Sequence, residues 1–487
     1  MPTPHFIVGN ESSDLDSIVS SIVVAKYGNE LFGRVGDVDT KHIAVLVTPG
    51  DMFFFKKYCS YVVENIMDVD LTDTSEILFI DDFMATAKCC DSICVSLVDG
   101  PQIPLFLRLF NYNFQVFNII DHHCFDASAR YLGECVFIDP CASNCTNVFR
   151  VMWEKIFHKN ASTSTLESIF FEHPSHAKHR FWENPHWFAE LLEAKKEPVD
   201  RVLLALLCVI VVDSIGMDMD GSDKVTIHDV KACLSILQYL RIGKFISLCP
   251  EEFEQPLLFA FVRENHLQLF GSIFAHLKEY SSFSATALLV SPQIVLQLDY
   301  KDYLYEFRDA KERFFAYGIS SISCSLYEFV SDCSVEKETA SFADFSSKLV
   351  AHFALKAKLI PNYSFLFVMT CQSREIMTND SLIADDAKDS LIADDAKSSF
   401  IGARQLSFCS PADYFGTLDI NDAAECVLEN FEQLFPGLIS NLELKFVSAL
   451  VANSFVTVSF IQGKYKMSRK AIQPVIHESI GHRSKPH

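Results

Sequence analysis

The sequence has no hydrophobic run long enough to cross a membrane. Its longest apolar stretch, Val202 to Val212, covers eleven residues and ends at Asp213, whereas a spanning helix needs about 20. The start of the chain also lacks the charged and apolar regions of a secretory signal, because Met1 to His5 leads directly into a strand-like run. We therefore predict a buried element at Val202 to Val212 and no membrane partner.

Positive charge is also scarce. The chain has 41 Lys and Arg against 63 Asp and Glu, which gives a formal net charge of −22. Proteins that bind nucleic acid without sequence specificity depend on an excess of Lys and Arg, so we expect no nucleic-acid polymer as partner. The 16 cysteines show no paired spacing, which predicts free thiols and a cytoplasmic location.

Hydrophobic runs alternate with helical patterns in the first part of the chain. Six runs are predicted strands: His5 to Val8, Ile43 to Val47, Ile77 to Ile80, Ile93 to Val98, Val116 to Ile120 and Val136 to Ile138. Continuous apolar strands with helices between them are typical of a parallel α/β sheet.

The second half reads as a separate, mixed α/β domain from about Gly221. Its predicted helices are Asp229 to Leu240 and Ala423 to Leu434, and its predicted strands are Ala287 to Val290, Ser364 to Met369 and Phe455 to Phe460. Two stretches are predicted insertions: a lid or surface excursion at about 158–198, and an exposed acidic loop at about 380–397 that contains SLIADDAK twice in tandem.

Acidic residues, histidines and one asparagine follow the ends of several apolar runs. They are Asn10, Asp14 and Asp16 in GNESSDLDS, Asp99 in SLVDG, Asp121, His122 and His123 in IIDHHCFD, and Asp213 in VIVVDSIGM. Ligands collect at the carboxyl ends of parallel strands. A single Asp there is often a helix cap or turn former. Several acids beside two adjacent histidines instead predict a site for two divalent cations, which can clamp the oxygens of a phosphoryl transfer.

These residues resemble the motifs of the DHH phosphoesterase superfamily. In the second half, Asp223 to Asp229 (DKVTIHD) and Ser468 to Pro474 (SRKAIQP) resemble the phosphate-binding motifs of the DHHA2 domain. The resemblance implies an N-terminal parallel-sheet DHH domain over residues 1–220 and a C-terminal mixed α/β DHHA2 domain over residues 221–487. It also implies an active site in the cleft between them.

Within this superfamily the motifs are most similar to the yeast-type cytosolic exopolyphosphatases. Asn10 stands where family II inorganic pyrophosphatases have histidine, and His123 stands where prune proteins have arginine. The chain also has no Gly-Gly pair of the kind found in the DHHA1 branch. A pyrophosphatase, a small-nucleotide phosphodiesterase and a prune-like interaction protein are the alternatives. One departure is Gly100 after Asp99, where relatives often carry histidine or asparagine.

The resemblance further implies a role for each motif residue. Asp14 and Asp99 would bind one metal with Asn10 nearby, Asp16, Asp99, His122 and Asp213 would bind the second, and His123, Lys224, Arg469 and Lys470 would face phosphate, with Asp121 orienting a ligand. The implied reaction is hydrolysis of the terminal phosphoanhydride of inorganic polyphosphate, assisted by two Mg²⁺ or Mn²⁺ ions. The second domain would close on the first. Since oxygen ligands suit Mg²⁺ and imidazole suits transition metals, Asn10→His should shift the preference toward Mn²⁺ or Co²⁺.

Overall fold

The computed structural model divides the chain into two compact units, Met1–Ser281 and Ser282–His487. It describes residues 4–32, 40–108, 112–123, 135–157, 186–219, 224–242, 255–280, 292–306, 314–322, 329, 342–370, 405–415, 431–435, 438–441, 444–452, 454–462 and 469–481.

The first unit is built on a six-stranded sheet. Its strands are β1 (Pro4–Val8), β2 (Lys41–Leu46), β3 (Ile77–Phe79), β4 (Ile93–Val98), β5 (Phe114–Asp121) and β6 (Val136–Ile138). They are all parallel and lie in the order β3-β2-β1-β4-β5-β6, so the predicted parallel α/β sheet is confirmed. The chain reverses direction across the sheet between β1 and β4. In open α/β sheets the crevice beyond the carboxyl ends at this point is the usual place for ligands.

Helices pack on both faces of this sheet. They are α1 (Leu15–Lys26), α2 (Gly28–Phe32), α3 (Gly50–Phe53), α4 (Lys57–Ser60) with a π-helical continuation (Tyr61–Ile66), α5 (Ile80–Ala87), α6 (Leu105–Arg108), α7 (Asn144–Met152) with a π-helical continuation (Trp153–Phe157), α8 (Trp187–Ala194), α9 (Pro198–Asp213), α10 (Ile227–Leu240), α11 (Gln255–Asn265) and α12 (Leu267–Tyr280).

The longest apolar run of the sequence forms α9. This helix contacts α1, α7, α10 and α12, and its residues from Val202 to Val211 are buried. A helix that is apolar on all sides must be covered on all sides, which confirms the predicted buried element. Within the parts of the chain that the structure describes, no helix is long and apolar enough to cross a membrane.

The division between the units differs from the predicted boundary at 220 and 221. Helix α10 packs on α7 and α9, α11 packs on α10, and α12 packs on α9. Residues 224–280 therefore lie with the first unit, because the apolar surface of α9 needs these helices as cover. The end of the predicted 158–198 insertion also differs from a surface excursion, since Trp187 and Phe188 of α8 are buried. Residues 158–185 lie outside the described residues.

The second unit contains a mixed sheet in the order β11-β12-β10-β9-β8-β7. Its elements are α13 (Pro292–Leu298), β7 (Tyr300–Glu306), β8 (Phe314–Ser321), α14 (Phe342–Leu359), β9 (Tyr363–Met369), β10 (Gln405–Pro411), a 3₁₀ turn (Ala412–Phe415), α15 (Leu438–Asn441), β11 (Leu444–Ala452), β12 (Phe455–Gln462) and α16 (Arg469–Gly481). Strands β8 and β9 are parallel, and the other described neighbours are antiparallel.

Aromatic side chains dominate the core of the second unit. Phe365, Phe367 and Phe408 on the sheet pack against Phe431 and Phe435. The predicted strands at 364–369 and 455–460 are confirmed. The predicted strand at 287–290, the acidic loop at 380–397 and most of the predicted helix at 423–434 lie outside the described residues.

Candidate metal centre

Asp99 is the first residue after β4, at the point where the strand order reverses. Its side chain is buried, and its backbone has a φ of 54°. The left-handed region costs a non-glycine residue roughly 1–2 kcal/mol, although Asp tolerates it better than most. The backbone N–H of Asp99 donates to the carbonyl of Ile120 at 3.1 Å. Strain held in place around a buried acid is characteristic of functional sites.

His122 follows β5 and faces Asp99. Its Nδ1 lies 3.0 Å from the carbonyl oxygen of Cys141, and its Nε2 lies 3.2 Å from Oδ1 of Asp99. A carbonyl oxygen only accepts, so Nδ1 carries the proton. In neutral His122 the lone pair of Nε2 therefore points toward a carboxylate oxygen. Metal-binding histidines commonly donate their other ring N–H to a backbone carbonyl in this way.

Asp121, the last residue of β5, holds both neighbouring histidines. Its Oδ1 accepts hydrogen bonds from the backbone N–H of His122 and from Nδ1 of His123, each at 2.8 Å. Burial alone would raise the pKa of Asp121, but the hydrogen bond from His123 and the charges of His123 and His122 outweigh it and lower the pKa. Asp121 therefore stays ionised and fixes the orientation of His123.

Three side chains converge on one point. The ligand atoms of Asp99, His122 and His123 all lie within 4.8 Å of one another. His123, predicted to face phosphate, has its Nδ1 3.9 Å from Oδ1 of Asp99 and a side chain that is 28% exposed. This Asp-His-His group is able to bind a metal ion.

Asn10 supports Asp99 from the loop after β1. Its Nδ2 donates to Oδ2 of Asp99 at 2.5 Å, while its Oδ1 accepts from Ser12 Oγ at 2.8 Å and from the N–H of Ser13 at 3.0 Å. The Ser13 N–H only donates, which fixes the oxygen of Asn10 on that side. Asn10 therefore directs its NH₂ group at the carboxylate of Asp99.

Close packing holds this loop on α1. The N–H of Asn10 donates to Ser17 Oγ at 2.7 Å. A methyl group on Gly9 would come within 2.2 Å of the same Ser17 oxygen, so the position requires glycine. Asp14 caps α1 by accepting from the N–H of Ser17 at 3.2 Å. Ser12 Oγ also lies 2.9 Å from Asp14 Oδ2, so its one proton can serve either Asn10 or Asp14.

Asp16 interacts with α7 instead of capping its own helix. Its Oδ1 accepts from Ser143 Oγ and from the N–H of Cys145, both at 2.9 Å, and its Oδ2 accepts from the N–H of Asn144 at 2.6 Å. The positive end of a helix favours a carboxylate. Of the four lone-pair sites of a carboxylate, these bonds leave one on Oδ2.

Asp213 ends α9 close to the other acids. Its Oδ2 is buried and has no hydrogen-bond partner in the described structure. Burial and the charges of Asp16, Asp14 and Asp99 raise the pKa of Asp213 well above its ordinary value. Buried carboxylates that repel one another need a compensating charge. Carboxylate oxygens with imidazole nitrogen form a donor set that suits divalent cations, so the residues present fit a metal.

Two further residues hold the loops of the site, and the sequence patterns did not single them out. Lys56 is buried after β2 and donates from Nζ to the carbonyl of Ser12 at 2.7 Å. Glu11 accepts a hydrogen bond from the N–H of Leu105 at the start of α6. Both contacts join segments that are far apart in sequence. A lysine after an aromatic run, as in FFFKK, also gives no local sign that it is buried beside acids.

The predicted phosphate-binding cations lie in different units. Lys224 is exposed and lies in the first unit, shortly before α10, not in the second domain as predicted. Arg469 and Lys470 are the first residues of α16 in the second unit. The structure thus brings Asn10, Asp99, His122 and His123 into direct contact. It also places Asp14 and Asp16 close enough to Asp213 for their charges to raise its pKa.

Comparison with known proteins identifies one relative of part of the chain. No protein-family model matches. A Schizosaccharomyces pombe protein named "Putative exopolyphosphatase" is 31% identical over 150 residues, which cover 31% of this chain and 36% of that protein. The match therefore spans little more than a third of the relative's length.

Proposed function

We propose that the chain is a metal-dependent hydrolase that releases orthophosphate from the ends of inorganic polyphosphate. The observation that carries this proposal is the geometry of His122, whose Nδ1 donates to a carbonyl while its Nε2 faces Asp99 at 3.2 Å. The partial similarity to the S. pombe protein, whose name states an exopolyphosphatase, supports the substrate. The proposal includes membership of the DHH superfamily with a DHHA2 domain.

In this proposal two divalent cations, Mg²⁺ or Mn²⁺, are held by Asp14, Asp16, Asp99, His122 and Asp213. When bound, they supply positive charge that polarises the phosphoryl group and activates a water nucleophile. Asp16 contributes through the lone pair that remains on Oδ2. Asn10 acts through Asp99, because its NH₂ group donates to that carboxylate while its amide oxygen accepts from the N–H of Ser13.

His123 is proposed to face the phosphate. Its Nδ1 is held by the ionised Asp121, so Nε2 is the ring nitrogen available to a phosphoryl oxygen. Lys224, Arg469 and Lys470 are proposed to offset the remaining negative charge of the substrate, Arg as a planar fork and Lys as point charges. Electrostatic stabilisation of this kind usually dominates phosphoryl transfer.

The test compares orthophosphate release from short polyphosphate, pyrophosphate and cyclic AMP, each with Mg²⁺ or Mn²⁺. We expect polyphosphate to be hydrolysed fastest. His122→Gln should lower the rate at least tenfold, whereas His276→Gln, a matched change on α12 whose histidine contacts Tyr61, should not. Equal or faster release from pyrophosphate would favour a pyrophosphatase, and no release from any of the three would overturn the proposal.

A further inference from the structure

Another buried carboxylate lies near the candidate metal centre without facing it. Asp229, in the first turn of α10, is fully buried. It accepts hydrogen bonds from Thr226 N and Thr226 Oγ1 at 2.8 Å, from the N–H of Ala142 at 3.0 Å and from Thr146 Oγ1 at 2.6 Å. The Thr226 contacts form a capping box. The other two reach a segment more than 80 residues away in sequence.

That segment orients two residues of the metal centre. Cys141, next to Ala142, provides the carbonyl that accepts from Nδ1 of His122. Ser143, on the other side of Ala142, donates its hydroxyl to Asp16. The anchored N–H of Ala142 therefore lies between the group that fixes His122 and the group that holds Asp16.

We propose that Asp229 is a positioning residue for the metal centre. It ties the Cys141–Ser143 segment to α10 and so keeps the proton of His122 on Nδ1 and its Nε2 available to a cation. This inference rests on the proposed function, because the cation site is part of that proposal. Residues that orient metal ligands typically change metal affinity by about 10–100-fold when they are replaced.

The same carboxylate also fixes the start of α10. Thr226, the cap residue that it bonds, lies two residues after Lys224. Lys224 is one of the proposed phosphate-binding cations. A single buried acid thus anchors both a metal-orienting segment and the segment that carries a substrate-binding residue.

Asp229→Asn is the informative substitution. It keeps the shape of the side chain but replaces one acceptor oxygen by an NH₂ donor, while the surrounding N–H and O–H groups all need acceptors. Val230→Ala is the matched control, since Val230 is the next residue on α10 and is equally buried. It removes packing from the same helix without touching the hydrogen bonds. Thr146→Val is a milder variant that removes one donor and keeps Asp229.

The first measurement is Mn²⁺ binding to the full chain by paramagnetic resonance, under conditions where every variant is folded. We expect Asp229→Asn to bind Mn²⁺ about 10–100-fold more weakly, Thr146→Val to shift in the same direction by less, and Val230→Ala to match wild type. Equal affinities for wild type and both hydrogen-bond variants would overturn the positioning role, and so would an equal loss in Val230→Ala.

The second measurement uses the metal-free protein and separates this inference from the proposed function. Imidazole ¹⁵N shifts report which nitrogen of His122 carries the proton. We expect Nδ1–H in wild type and Val230→Ala, and a mixture of tautomers in Asp229→Asn. An unchanged tautomer in Asp229→Asn would contradict the inference even if wild type binds Mn²⁺. Failure of wild type to bind Mn²⁺ would instead contradict the proposed function.

Discussion

The hydrogen bond between Asn10 and Asp99 adds no negative charge to the centre. Asn10 donates to Asp99 at 2.5 Å, so a neutral amide lies against a buried carboxylate. Around them, the charges of Asp16, Asp14 and Asp99 help to raise the pKa of the buried Asp213. The amide of Asn10 stabilises the carboxylate of Asp99, which is a proposed ligand of both cations.

Asn10→Asp tests this balance with almost no change in shape. Two like charges at hydrogen-bonding distance should destabilise the metal-free protein by about 1–3 kcal/mol. A bound cation should recover part of that loss, because it binds the folded state and neutralises the pair. Urea unfolding in EDTA and in Mg²⁺ measures both quantities.

Asn118→Asp is the matched control for that experiment. Asn118 is also buried, but it donates to Ser96 Oγ inside the sheet. Its destabilisation should be the same with and without Mg²⁺. If Asn10→Asp behaves like Asn118→Asp, the carboxylate of Asp99 does not face a cation.

Strand β1 carries a titratable group at the end opposite the candidate metal centre. His5 is buried beside His42, with ring centroids 5.0 Å apart, and its Nε2 lies 3.0 Å from Ser96 Oγ. Burial, with a smaller contribution from the charge of His42, lowers the pKa of His5 from 6.5 to about 4. The folded strand therefore requires neutral His5.

This predicts acid destabilisation of the first unit. Since the unfolded chain binds the proton more readily, the stability is fully present above about pH 6.5 and is lost as the pH falls toward 4. The shift corresponds to about 3 kcal/mol. Urea unfolding followed by tryptophan fluorescence measures it selectively, because all three tryptophans of the sequence, Trp153, Trp182 and Trp187, precede residue 282, where the second unit begins. His5→Gln should reduce the pH dependence, and an unchanged profile in that variant would contradict the assignment.

The strands were predictable because parallel strands are covered on both faces and so read as continuous apolar runs. The candidate site was predictable as far as residues follow those strands, as Asp99 and His122 do. Partners were not. Asp16 suggests a cap for its own helix, yet it bonds α7, and Asp229 reaches Ala142 across 87 residues. Hydrophobic periodicity carries no information about such long-range polar contacts, nor about α10 covering α9.

At the scale of the whole molecule, charge is the dominant constraint. The chain carries a net charge of −22, and the candidate centre adds buried acids at the carboxyl edge of the sheet. The proposed polyphosphate substrate is itself a polyanion. Repulsion of this size opposes both folding of the centre and approach of the substrate. We therefore expect the centre to need divalent cations.

Removal and return of the metal shows whether hydrolysis depends on a divalent cation. The full chain is treated with EDTA, freed of chelator, and assayed for orthophosphate release from short polyphosphate before and after addition of Mg²⁺ or Mn²⁺. We expect release to stop on chelation and to return with either cation. Release that continues unchanged after chelation would contradict this expectation. So would the absence of release with every divalent cation tested.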